Sequence, residues 1–107
     1  MSANNWFTRF PPSDASLKAC NEVVASWKEA NNINTNLEEP TWKLAARVNS
    51  WIGPRSVQAG VIDIIGARIK ISEDLLIQLA EQLTRRLLAD DILGKREVMK
   101  PVERPVV

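Results

Sequence analysis

The clearest helical signal in the chain lies in residues 72–94, which read SEDLLIQLAEQLTRRLLADDILG. Ser72 can cap a helix with its hydroxyl, and the two acidic residues after it suit the positive end of the helix dipole. Gly94 suits the left-handed position just past a helix end. We therefore predict a helix across this stretch. Its apolar face consists of leucines that recur at helical spacing, namely Leu75, Leu76, Leu79, Leu83, Leu87 and Leu88.

This leucine face is too wide to remain in water, and either the rest of the chain or a second copy must cover it. The apolar content of this helix and of the segment before it is generous for a small monomer. We therefore expect a dimer or a larger assembly, with aromatic side chains also touching the partner. The residues predicted to contact a partner are Trp6, Phe7, Phe10, Trp42, Leu75, Leu76, Leu79 and Leu83.

Two further helices are predicted nearer the N-terminus. Ser13 is a candidate N-cap for a helix over Asp14–Ala30, which an Asn-rich turn follows in residues 31–36. Another helix is predicted with Pro40 in its first turn and Glu38 and Glu39 as favourable early charges. It ends at residues 53–54, Gly-Pro. The predicted inner face of this second helix consists of Leu44, Val48, Trp51 and Ile52.

The segment between Ser56 and Ser72 carries two conflicting signals. Apolar residues at helical spacing predict a helix up to about Gly66, followed by an extended lead into Ser72. However, Gly60 and Gly66 each weaken a helix by about 1 kcal/mol relative to Ala, and residues 67–71 alternate as a strand would. A short β-hairpin over residues 61–71 is the alternative. The predicted fold is thus an all-α, single-domain bundle of about four helices, with that hairpin left open.

The domain organisation follows from length and proline positions. The chain has 107 residues, the size of a single domain. Residues 1–12 are predicted to form an aromatic N-terminal arm, because two consecutive prolines at its end rule out a helix there. Residues 13–94 form the helical domain. Residues 95–107 are predicted to be a flexible charged tail.

The absence of histidine excludes several kinds of chemistry. Nucleophilic catalysis by serine or cysteine usually depends on histidine, and a zinc site needs several Cys or His ligands. The chain has no His and one Cys, so we expect no enzyme activity, no catalytic residue, no metal site and no cofactor. Cys20 lies on the apolar face of its helix and is predicted to be a buried thiol. Since no signal peptide or membrane-spanning stretch is visible, we expect a cytoplasmic or virion-interior protein.

Two functions fit these features. The first is a non-enzymatic protein–protein interaction, assembly or regulatory subunit that binds itself or another protein. The alternative is a small nucleic-acid-binding regulator of viral or phage type, which would contact phosphates through a basic face. The net charge of only +1 argues against a whole surface tuned to nucleic acid. Pairs such as Glu81–Arg85 would also explain the charges as an ordinary solvated surface. The candidate phosphate contacts are Arg47, Arg55, Arg68, Lys70, Arg85 and Arg86.

Overall fold

The structure is a computed structural model that describes residues 11–93, and this part of the chain is all-helical as predicted. None of its helices combines the length and the apolar character needed to cross a bilayer. Apart from its two prolines, the predicted arm lies outside the described residues, and so do the predicted tail and Trp6, Phe7 and Phe10. The elements in order are α1 Asp14–Ala30, α2 Glu38–Arg47, a short 3-10 helix Val48–Ser50, α3 Pro54–Arg68 and α4 Glu73–Ala89.

The first helix begins and ends where the sequence predicts. Ser13 has an extended backbone, and its hydroxyl accepts the Ser16 N–H at 3.1 Å, so the predicted N-cap is confirmed. At the other end Asn32 adopts the left-handed conformation, with φ of 55°, which Asn tolerates better than most residues. Ile33 then donates its N–H to the Lys28 carbonyl at 2.9 Å. This bond belongs to a Schellman motif, which satisfies the last carbonyls of the helix.

The second helix has Glu38, Glu39 and Pro40 in its first turn, as predicted, but it ends earlier than predicted. It begins at Glu38, whose N–H donates to the Asn36 side-chain oxygen at 2.9 Å. After Arg47 the chain tightens into the 3-10 helix and becomes extended at Trp51. Neighbouring side chains of an extended backbone point in opposite directions. Trp51 is therefore buried while Ile52 is 58% exposed, and the prediction that both share an inner face is wrong.

The conflicting signals between residues 56 and 72 are decided in favour of a helix. α3 runs from Pro54 to Arg68, so the alternative hairpin over residues 61–71 does not form. The chain becomes extended at Ile69. The alternating pattern of residues 67–71 therefore marks the exit from α3 and the approach to α4, not a strand.

Gly60 is required because another side chain occupies the space beside it. The Trp51 indole lies directly against Gly60, and a Cβ at this position would clash with the ring. Gly66 has more room, since a Cβ there would lie 3.1 Å from Leu76 Cδ1, the end of a flexible side chain. Gly60 thus lowers the intrinsic stability of α3 as a helix, but its lack of a Cβ leaves room for the Trp51 ring.

Four leucines of the α4 leucine face, Leu76, Leu79, Leu83 and Leu87, are buried inside the single chain. α4 packs against α1 and α3, and α2 packs against the same two helices, so the four helices enclose one core. The fully buried Trp27 donates its indole N–H to the Leu75 carbonyl at 2.9 Å and so ties α1 to the first turn of α4. The largest fully buried core side chains are Trp27, Leu37, Leu44, Ile65, Leu79, Leu83 and Leu87.

Both ends of α4 differ from the prediction. Ser72 occupies the N-cap position without a capping hydrogen bond from its hydroxyl, and the helix stops at Ala89. Asp91 adopts the left-handed conformation, with φ of 57°, which the sequence assigned to Gly94. Ile92 then donates its N–H to the Leu87 carbonyl at 2.8 Å, again in a Schellman motif. This turn brings Ile92 back over the core, where it is buried.

The close contact at Gly60 leads to a prediction about stability. Gly60→Ala should lower the free energy of unfolding by about 1–3 kcal/mol, because overpacking against Trp51 outweighs the gain in helix propensity. Gly66→Ala is the matched control and should leave that free energy unchanged or raise it by at most about 1 kcal/mol. Urea denaturation followed by circular dichroism measures both. Equal stabilisation by the two substitutions would show that the ring does not lie against Gly60.

Candidate interaction surfaces

The leucines predicted to contact a partner lie mostly inside the chain. Leu79 and Leu83 have no exposed surface, and Leu76 is 5% exposed. Leu75 packs partly buried against the same core, and Trp42 is half-buried on α2. The physical reason for expecting a dimer was that this face needed a cover. The other helices of the same chain supply that cover, so Leu76, Leu79 and Leu83 are not available to a partner.

Arg86 is the most strongly engaged of the predicted phosphate contacts. Its guanidinium lies 2.7 Å from an Asp90 carboxylate oxygen and 2.8 Å from one of Glu22. Hydrogen bonds to Asp90 and to Glu22 raise the pKa of Arg86 further above its ordinary value. Arg86 therefore links α1 to the end of α4. Its positive charge is already balanced by two carboxylates, so it is a poor phosphate contact.

The other predicted phosphate contacts are spread over different parts of the fold. Arg55 is exposed in the first turn of α3, and Lys70 is exposed in the connection to α4. Arg85 lies beside the groove between α3 and α4. Arg47 and Arg68 are the two that share a groove, between α2 and α3. The six residues therefore do not form one basic face.

The groove that contains Arg47 and Arg68 has mixed charge. Lys43 also lines it, which brings three cationic side chains together. Two carboxylates, of Glu39 and Asp63, line the same groove. The Asp63 carboxylate lies 3.9 Å from the Arg47 guanidinium, a distance typical of a weak surface ion pair. We call this surface the α2–α3 groove.

The groove between α3 and α4 combines a floor of small residues with charged and polar walls. We call it the α3–α4 groove. Its floor contains Ala80 and Thr84, which are 3% and 8% exposed. The Thr84 hydroxyl donates to the Ala80 carbonyl at 2.7 Å, so it has no need of an external acceptor. The residues that line the groove are Pro54, Gln58, Ala80, Glu81, Thr84 and Arg85.

Two large exposed hydrophobic side chains lie close in sequence to residues of the α3–α4 groove. Ile52 and Leu88 are each 58% exposed, and they are the exposed large hydrophobics within residues 11–93. Ile52 precedes the groove residue Pro54 by two positions, and Leu88 follows Thr84 by one helical turn. Ile52 was predicted to lie on the inner face of the second helix, whereas its side chain is exposed. Leu88 was predicted to belong to the leucine face. It directly follows Leu87, however, and so falls outside the four-residue spacing of Leu79, Leu83 and Leu87.

Cys20 is a buried thiol, as the sequence predicts. Its side chain has no exposed surface. Burial raises the pKa of Cys20 from its ordinary value of 9.0 to about 12, and the positive charge of Arg86 opposes part of this shift. A thiol in this state is a poor nucleophile and a poor metal ligand. Across residues 11–93, no group of three or more His, Cys, Asp or Glu side chains could hold a metal ion.

Comparison of the chain with protein-family models gave no match, and neither did comparison with the curated proteins or with the solved structures.

The burial of Cys20 predicts how stability depends on pH. The folded pKa of about 12 exceeds the ordinary value of 9.0, so between these values the unfolded chain releases a proton that the folded chain retains. Stability should therefore fall as pH rises through this window, by at most about 1.4 kcal/mol per pH unit from this group. Cys20→Ala should show a shallower fall when both proteins are unfolded in urea across this range. Parallel profiles would contradict the prediction.

Proposed function

We propose that this protein is a non-enzymatic interaction or assembly subunit that binds a protein partner through the α3–α4 groove. The observation that carries the proposal is the α3–α4 groove itself, where the exposed Glu81 and Arg85 lie beside a floor of small residues. The 58% exposed Leu88 follows Thr84 by one turn of the same helix. An exposed apolar side chain beside charged groove walls fits the apolar centre and polar rim that are typical of a contact surface.

The energetics of this surface favour association. Each square ångström of apolar surface removed from water contributes about 25 cal/mol. Covering Ile52 and Leu88 would therefore stabilise a complex without any rearrangement of the core. The walls supply one negative and one positive side chain, Glu81 and Arg85, which would orient a partner. This surface replaces the leucine face as the proposed partner contact, since those leucines are occupied within the chain.

The proposal is tested by making the groove polar. The variant Ile52→Asn with Leu88→Gln should keep its free energy of unfolding within about 0.5 kcal/mol per substitution, because both sites are exposed. The amount of each protein that co-purifies with the tagged wild type from lysate of the cells that express it should nevertheless fall at least tenfold in this variant. Quantitative mass spectrometry measures this amount.

The control adds the same polar groups at exposed positions of α1, which does not line the groove. Ala15→Asn with Ser26→Gln should enrich the same partners as the wild type. If the groove variant enriches those partners as strongly as the wild type does, the α3–α4 groove is not the contact surface.

The second candidate function is phosphate binding to nucleic acid at the α2–α3 groove. The observation that favours it is the meeting of Lys43, Arg47 and Arg68 along one groove. The carboxylates of Glu39 and Asp63 in the same groove oppose a polyanion, so this function ranks below the first. The proposed site is smaller than the six-residue face that the sequence suggested.

A binding assay with labelled mixed-sequence duplexes, DNA and RNA in parallel, measures the second function. Three phosphate contacts predict that log affinity falls with log salt concentration with a slope of about −2 to −3. Arg47→Ala with Arg68→Ala should flatten this slope by about 2, whereas Arg55→Ala, outside the groove, should have no comparable effect. Absence of binding at low salt would exclude this function.

A further inference from the structure

We infer that the partner of the α3–α4 groove is a second copy of the same chain, bound antiparallel about a two-fold axis that crosses α4. This inference rests on the proposed function and identifies its partner. In the dimer, Glu81 of each chain pairs with Arg85 of the partner chain. Leu88 of each chain covers the small-residue floor of the other.

The first support comes from two charged residues, Glu81 and Arg85, that form no ion pair within residues 11–93. Glu81 and Arg85 both line the groove and are exposed. They are one helical turn apart, a spacing that permits a pair within one helix. However, neither forms an ion pair with any residue in the range 11–93. The neighbouring Arg86 contrasts with them, because it contacts two carboxylates.

The second support is that this charge pattern complements itself. In a two-fold interface the same patch occurs on both chains, so that if residue i contacts residue j, then j contacts i. One negative and one positive residue on a single helix face satisfy this condition. An antiparallel copy of α4 then forms two Glu81–Arg85 pairs, and no like charges of this set face each other.

The third support is the register along α4. Pairing Glu81 with Arg85 of the partner puts the two-fold axis at residue 83, midway between the two positions. Placing Leu88 over Ala80 of the partner puts it at residue 84. Moving the axis by one residue slides the partner helix by two residues. An axis midway between these positions therefore leaves each contact within one residue, a rise of about 1.5 Å, which side-chain rotamers accommodate. A single axis therefore satisfies the charged pairs and the apolar contacts together.

The apolar contact is also sterically reasonable. Ala80 and Thr84 leave a shallow floor in the groove, and the Thr84 hydroxyl is already bonded within the helix at 2.7 Å. A leucine side chain can therefore cover this floor without leaving an unsatisfied hydroxyl. Ile52, two residues before the groove residue Pro54, is 58% exposed and can add apolar area to the same interface.

Charge reversal on α4 tests this dimer directly by analytical ultracentrifugation over a range of concentrations. The wild type should dimerise. Glu81→Arg and Arg85→Glu should each weaken self-association at least tenfold, because like charges then face each other across the axis. An equimolar mixture of the two single variants should associate again, since every pair in the mixed dimer is opposite in sign. The variant with both substitutions should also dimerise.

The controls change net charge by the same amounts on α1. Glu29→Arg and Lys18→Glu are exposed and outside the groove, and both should dimerise as the wild type does. Circular dichroism should show native helix content in every variant. A wild type that stays monomeric at all concentrations, or a mixture that associates no better than its two components, would overturn the second-copy inference. Loss of host partners by the Ile52/Leu88 variant would in that case still support the proposed function with a different protein.

Discussion

The hydrogen bond from the Trp27 indole N–H to the Leu75 carbonyl, at 2.9 Å, is the contact on which the arrangement of helices depends. It joins α1 to the first turn of α4 across 48 residues of chain. Because Trp27 is fully buried, an unpaired indole N–H would be costly, and the bond selects one rotation of α4. That rotation directs Leu79 and Leu83 into the core. It leaves the opposite side of α4 for the groove residues and Leu88.

A second packing constraint creates the exposed surface. The Trp51 indole fits against α3 because position 60 has no Cβ. Trp51 lies in extended backbone, so its inward orientation turns the next residue, Ile52, outward. The exposure of Ile52, two residues before the groove residue Pro54, is thus a consequence of burying the tryptophan. In this way a core contact exposes one side chain of the proposed interface.

The two arginines of α4, Arg85 and Arg86, show how helix geometry directs neighbouring side chains to different surfaces. Successive helical residues differ by about 100° around the axis. Arg86 therefore faces the carboxylates of Glu22 and Asp90, while Arg85 faces the α3–α4 groove. The same geometry explains why the six cationic residues chosen from the sequence do not meet. Their spacing along the chain contained no information about which helix faces would be adjacent.

The sequence by itself determined the helical class, the bounds of α1, the helical character of α4 and the burial of Cys20, because periodicity, capping residues and polarity act over one or two turns. It could not determine that α3 is helical despite Gly60, that α4 ends at Ala89, or that Ile52 and Leu88 are exposed. Only the tertiary structure decided these points. Each depends on a contact between residues distant in sequence or on the direction in which one side of a helix faces the core, and local patterns do not contain that information.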